Sequence, residues 1–286
     1  MFERVSRSYE LMKCSWNVLR QDKELILFPI LSGIASLLTV GSFIIPIVLY
    51  VLHQRAGEVE VSDQHLAAAW YAYMFVFYVF TFFVQYYFNV AVMHCAAIRM
   101  NGGDPTVADG FRGANEHAVA ILGWAAVSAT VGLVLRTLEQ RLGLLGRIVA
   151  GLIGCAWTIV TYFAVPVLIF ERVGVGTAIK RSAELLKATW GEAMVARAGL
   201  SVVSFYFGLL GLLPIGLGAW LAAQGVAPAI FLAAFGVAIV YWLALAIISS
   251  ALTSIFNVAL YRYATTGKAP DGYRQELIVE FFQPRR

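Results

Sequence analysis

The chain has 286 residues, of which 60% are hydrophobic and only 13% charged, with a formal net charge of +4. That charged share is about half of what a soluble domain carries, so a water-soluble fold of this size is excluded by its lack of polar surface. The basic residues flank apolar blocks and no base-reading motif accompanies them, which points to anionic lipid headgroups and topology control, with no nucleic acid as partner.

In chain order, the N-terminal stretch predicts an amphipathic helix. Val5, Tyr9, Met12, Trp16 and Leu19 are spaced four, three, four and three apart, which gathers them on one face. Arg7 and Lys13 belong to the opposite, polar face, and Trp16 suits an interfacial anchor. Apolar segments follow at Leu25–Val51, Leu66–Ile98, Ala118–Leu135, Ile148–Phe170, Ala198–Ala223 and Pro228–Tyr263. Each approaches or exceeds the roughly 20 residues that cross a bilayer as a helix. The first starts after a charged stretch and is too long for a signal core, so it reads as an uncleaved span. The second and sixth are longer than a bilayer needs and are expected to tilt or run past its surface. Between the third and fourth, Arg136–Arg147 reads as a short interfacial helix or a tight hairpin. The fold class is therefore all-α: a polytopic transmembrane bundle of about six spans, forming a single membrane domain over 1–286.

Orientation follows from the basic residues. With both termini inside, 17 of the 21 Lys and Arg face the cytoplasm, and only Arg55, Arg136, Arg141 and Arg147 lie outside. Trp70, Tyr71, Tyr73, Tyr86, Tyr87 and Trp220 occupy belt positions near span ends. The aromatic run Tyr71–Phe88 is read as ordinary packing, with a stacked lipid or protein contact surface as its alternative.

The sequence also repeats itself. Arg7-Ser8-Tyr9-Glu10-Leu11-Met12-Lys13-Cys14-Ser15-Trp16 matches Arg181-Ser182-Ala183-Glu184-Leu185-Leu186-Lys187-Ala188-Thr189-Trp190, with six of ten pairs identical. Phe88-Asn89-Val90-Ala91 recurs as Phe256-Asn257-Val258-Ala259, and Asp109-Gly110-Phe111 as Asp271-Gly272-Tyr273. Three collinear matches imply parallel repeat-like halves, 1–115 and 175–286, around a middle helical pair, 116–174. Tyr162-Phe163-Ala164-Val165 faintly echoes Tyr87-Phe88-Asn89-Val90, so the middle pair is a candidate third copy. Ile179, Ala183, Leu186, Trp190 and Ala193 repeat the apolar spacing of the first helix. These two basic helices either lie in the interface or pack on the inner ends of the spans. In both settings Arg7, Lys13, Trp16, Lys180, Arg181, Lys187 and Trp190 are the expected lipid or interface contacts.

Chemistry is sparse. No Asp, Glu, Lys or Arg falls at the middle of an apolar block, where an ion-coupled transporter or intramembrane enzyme usually shows one. His94 with Cys95 makes no metal pair without further ligands, and Glu171 and Arg172 read as a stop at a span end. Cys14, Cys95 and Cys155 are expected as small buried hydrophobes. No catalytic motif, metal site or cofactor is therefore expected. Asn89 and Asn257 near the inner span ends either hydrogen-bond between helices or line one polar intramembrane site. Ser249, Ser250, Thr253 and Ser254 give the sixth span a small polar face.

Phe2-Glu3-Arg4-Val5-Ser6-Arg7-Ser8 with Trp16, Asp22-Lys23-Glu24-Leu25 and Phe28-Pro29-Ile30-Leu31-Ser32-Gly33 resembles an uncharacterised prokaryotic family of six-span integral membrane proteins. More distantly, the architecture is similar to the membrane domain of some glycerophosphodiester phosphodiesterases. The resemblance implies a prokaryotic cytoplasmic membrane and no established catalytic residues. The expected protein is a non-enzymatic bundle that acts through membrane lipids, anionic ones above all, or through a membrane protein partner or a second copy of itself. The alternative is a transporter, channel or lipid scramblase.

Overall fold

Where water is absent, a backbone segment must satisfy its N–H and C=O groups internally, so each long apolar block forms a helix. The computed structural model describes residues 2–55, 63–188, 203–224, 229–270 and 273, and for 2–11, 54–55, 63–68 and 222 the backbone alone. The helices are α1 (Phe2–Gln21), a 3-10 turn (Lys23–Ile26), α2 (Leu27–Arg55), α3 (Asp63–Arg99), α4 (Val107–Glu116), α5 (Ala118–Val160), α6 (Ala164–Phe170), α7 (Val175–Ala188), α8 (203–210), α9 (Leu212–Ala223) and α10 (Ala229–Thr266). No strand occurs among the described residues. The protein is an all-α membrane protein.

Among the described residues, five stretches are long and apolar enough to cross a membrane: Lys23–His53, Ala69–Arg99, Ala118–Phe170, Val203–Leu221 and Ala229–Thr266. The third has 53 residues. At 1.5 Å per residue that is ~80 Å, more than twice the hydrocarbon thickness. It crosses by folding back. Gly143 leaves the helical region with φ 57° and ψ −130°, a conformation open to glycine because it lacks a Cβ. Beyond it the arms run antiparallel. Trp124 stacks on Trp157 with centroids 6.0 Å apart and planes at 10°, and a Cβ at Gly154 would lie 3.6 Å from Leu135 Cδ1. The hairpin expected at Arg136–Arg147 thus turns at Gly143, and this one element supplies both middle segments.

The described chain packs as two compact units. One comprises Met1–Pro29, Cys95–Pro105 and Lys187–Arg286, the other Ile30–His94 and Thr106–Leu186.

In the second unit, aromatic rings fill the space between helices. Phe43 of α2 meets Tyr73, Phe77 and Phe80 of α3 at centroid distances of 5.3, 5.3 and 6.1 Å. Phe111 of α4 packs on Tyr87 and Phe88 at 6.4 and 6.2 Å. The helix α4 starts with a capping box: Thr106 Oγ1 accepts from the Asp109 N–H, and the Asp109 carboxylate accepts from the Thr106 N–H. The Thr106 hydroxyl, which donates to the Asp109 carboxylate at 2.6 Å, and then the Thr106 N–H hold that carboxyl below its ordinary range. Close approach of α4 to α3 rests on Gly113, where a Cβ would fall 2.3 Å from the His94 ring.

The same unit contains a break between α5 and α6. Tyr162 N–H turns to the Ile159 carbonyl, and Ala164 N–H to that of Thr161. Phe163 N–H and the Val160 carbonyl are thereby released from the helical ladder. Ser182 of α7 takes both: its Oγ accepts from Phe163 N–H at 2.9 Å and donates to the Val160 carbonyl at 2.7 Å. Ala178 and Ser182 are fully buried, with Leu185 and Leu186 nearly so, whereas Ile179 and Ala183 are half-buried. Leu186 is buried as the apolar stripe requires, but the buried face of α7 takes in Ala178 and Ser182 and is offset from Ile179 and Ala183, because a hydroxyl must face the helix break. Trp190 and Ala193 lie outside the described residues. Of the cysteines, Cys14 and Cys95 are buried as expected, but Cys155 is exposed on the outer side of an apolar arm.

Ser182→Ala would leave a buried N–H and C=O without partners, at about 1–3 kcal/mol for each unsatisfied group. A thermal unfolding assay in detergent is expected to show a clearly lowered Tm for Ser182→Ala and near wild-type behaviour for Ser182→Thr.

Candidate functional site

The first unit holds a groove built from α1, α8 and α10. Its position follows from a second break in the helical ladder. Gly211 N–H turns to the Gly208 carbonyl, which frees the Phe207 carbonyl. Tyr241 of α10 donates its hydroxyl to that carbonyl at 2.7 Å, and Trp242 donates its indole N–H to the Gly208 carbonyl at 3.0 Å. The indole fits only because residue 211 is glycine: a Cβ there would lie 2.3 Å from Trp242 Nε1. A polar pair inside an apolar span thereby ties α10 to α8.

At its other end α10 is tied to α1. Tyr273, just beyond α10, hydrogen-bonds Ser15 of α1 at 2.7 Å in a buried contact, and burial raises the Tyr273 phenol above its ordinary pKa. Cys14, Ser15, Val18 and Leu19 form the buried face of α1. The end of α1 is held by an ion pair: Asp22, 7% exposed, is gripped by Arg99 through both Nε and Nη2, and Arg99 also reaches Asp104. Arg262 of α10 donates to Asn101 in the same turn at 2.6 Å.

Between these ties lies a cavity of about 450 Å³. Val203, Ser204 and Phe207 of α8 form one wall, and Tyr241, Ala244, Leu245, Ile248, Ser249 and Leu252 of α10 another. Met12, Lys13 and Trp16 of α1 close the end. From Tyr241 to Leu252 the wall is ~16 Å long at 1.5 Å per residue. It is almost wholly apolar, with one ammonium at the α1 end. Trp16, 42% exposed, stays off the buried face of α1 and presents its ring to the groove.

Two of the expected contact residues thus come together at this groove, Lys13 and Trp16. The Arg7 side chain and Trp190 lie outside the described residues. Lys180 and Lys187 are exposed on α7. Arg181 is engaged within the protein, 3.4 Å from Glu171 and 3.3 Å from Glu184; these carboxylates hold its guanidinium above its ordinary pKa. Asn89 belongs to the second unit and Asn257 to the first. The Asn257 Oδ1 is buried without a hydrogen-bond partner among the described residues. Sequence reading missed Ser204, Tyr241 and Ser249 as groove residues. The signal was present in Tyr241-Trp242, an adjacent pair of hydrogen-bonding aromatics deep inside an apolar span.

The second unit has a cleft of another character, about 630 Å³, between the α4–α5 junction and the end of α6. Glu116 and Arg172 face each other across it at 3.3 Å, with side chains 49% and 75% exposed. Arg172 has φ 52°; the other described residues with positive φ are Gly102, Gly143 and Gly267. For a side-chain-bearing residue this conformation costs about 1–2 kcal/mol, and an exposed ion pair returns at most about 1 kcal/mol. Among the described residues, no group of three or more His, Cys, Asp or Glu is arranged to hold a metal ion.

A family model described as a family of unknown function (DUF6159) matches residues 68–271. No curated protein matches the chain, and the likeness to the phosphodiesterase membrane domain gains no support from either comparison.

Truncating Arg99 would leave the Asp22 carboxylate buried and unpaired. Arg99→Ala is expected to destabilise by about 2–3 kcal/mol, as Arg99 itself reaches solvent. Arg99→Lys would restore the charge without the two-pronged bond and rescue only part of the loss. Chemical denaturation in detergent, followed through tryptophan fluorescence, measures both.

Proposed function

The chain belongs to this family of unknown function, and we propose that it is a non-enzymatic lipid-binding bundle that holds an anionic phospholipid in the groove of α1, α8 and α10. The observation that carries this reading is the pairing of an apolar wall with a single cation at one end. An acyl chain fits along α10, and Lys13 stands where a phosphate would lie. Trp16 beside it has the amphipathic ring favoured at headgroup depth. An apolar cavity with one or two oriented polar groups is the usual form of a small-molecule site.

The distribution of Lys and Arg supports an orientation with both termini inside, and the family resemblance implies a prokaryotic cytoplasmic membrane as the setting. In that orientation α1 and α7 lie on the leaflet whose anionic lipids attract basic segments, at about 1 kcal/mol per basic residue near the surface. Lys180 and Lys187 are exposed on α7. Arg181 serves the fold through its two glutamates, so it is a poor probe of lipid contact.

Native mass spectrometry of the purified protein, titrated with phosphatidylglycerol and phosphatidylcholine of equal chain length, tests the reading. Wild type is expected to retain the anionic lipid preferentially. Lys13→Glu, which removes one positive charge and adds a negative one, is expected to weaken that retention by about tenfold or more. Ser249→Trp, which fills the groove, is expected to displace the lipid without changing the charge. Unchanged retention in both variants would refute the groove.

A further inference from the structure

Arg172 occupies a backbone position that glycine would fill without strain, and its exposed ion pair does not offset that strain. A side chain kept under those conditions has a use at the cleft it lines. We propose that the cleft between Glu116 and Arg172 binds a phosphoethanolamine group, the zwitterion carried by a common class of phospholipid headgroup. This assignment does not rest on the Lys13 groove.

The charges select the ligand class. A carboxylate and a guanidinium 3.3 Å apart line one cavity of about 630 Å³. A net anion entering it meets Glu116, and a net cation meets Arg172. A zwitterion satisfies both by inserting between them, its phosphate on the forked guanidinium and its ammonium on the carboxylate. The amine is primary. His117, 8% exposed and lining the cleft, has Nδ1 at 2.8 Å from the Gly113 carbonyl; in the neutral ring this leaves Nε2 as an acceptor. Glu116 and His117 can both accept N–H bonds from a primary ammonium. A trimethylammonium donates none, and among the described residues no Trp, Tyr or Phe lines this cleft to hold one by cation–π attraction. The remaining lining is apolar. Val119, in the first turn of the α5 span, is 86% exposed, where a bilayer would supply the rest of a lipid.

The test uses the full-length protein, delipidated in detergent. It is titrated with short-chain phosphatidylethanolamine, with phosphatidylcholine and phosphatidylglycerol of the same chains, and with soluble O-phosphoethanolamine. Binding is read by native mass spectrometry and thermal shift. Wild type is expected to favour the ethanolamine lipid over the choline lipid by about tenfold, the worth of one charge-assisted bond. Glu116→Gln is expected to abolish that preference. Arg172→Gly, which relieves the backbone, is expected to keep or raise Tm while losing binding by about tenfold or more. Saturation by O-phosphoethanolamine alone would identify a free metabolite as the occupant, and saturation by the lipid alone a membrane headgroup; each supports the assigned chemistry. Equal affinity for ethanolamine and choline lipids would overturn it, as would unchanged binding in both Glu116→Gln and Arg172→Gly, since Glu116→Gln leaves the fold largely intact whatever the second variant does.

Discussion

The need of every backbone N–H and C=O for a partner where water is absent governs the rest of this structure. An unbroken helix meets that need by itself, so the informative places are the breaks. At Tyr162–Phe163 a released N–H and carbonyl are both taken by the hydroxyl of Ser182. At Gly211 the carbonyls of Phe207 and Gly208 accept from Tyr241 and Trp242. In each case a side chain from a different helix completes the ladder. The break is thereby converted from a local defect into a tie between elements, and it fixes which helices are neighbours.

The candidate groove is a product of those ties. Tyr241 and Trp242 clamp α10 to α8 at one end, and the Ser15–Tyr273 bond with the Asp22–Arg99 pair sets α1 at the other. The walls between them are short of side chains large enough to fill the gap, with Ala244, Ser204 and Ser249 among the lining residues. A space of about 450 Å³ remains. Its charged residue Lys13 comes from α1, a helix that also carries Arg4, Arg7 and Arg20. The sequence of causes runs from a helix break to a tie, from the tie to a cavity, and from the cavity's single cation to the class of ligand it suits.

Much of the fold was legible because membrane burial leaves a coarse mark. Runs of apolar residues marked the spans to within a few positions, and of the two readings of Arg136–Arg147, a short interfacial helix or a tight hairpin, the hairpin matches the reversal at Gly143. Lys13 and Trp16 were singled out because the sequence around them recurs at Lys187 and Trp190 with the same spacing. Two things were not. The orientation of α7 was missed because a periodicity argument places apolar residues inward, whereas here Ser182 faces inward to serve the Phe163–Val160 break. The groove residues Ser204, Tyr241 and Ser249 were missed because they are distant in sequence from Lys13 and line the same cavity only through pairing between helices. Local pattern does not encode that pairing. The Asp22–Arg99 pair, 77 residues apart, was hidden for the same reason.

The most direct measurement is crosslinking inside the groove in native membranes. A photoreactive amino acid at Leu245, midway along the α10 wall, reports what occupies the cavity when the protein has not been extracted. The account predicts adducts whose mass is that of a phospholipid, enriched in anionic headgroups and reduced by Lys13→Glu. Adducts only to protein, or lipid adducts with no headgroup bias and no response to Lys13→Glu, would contradict it.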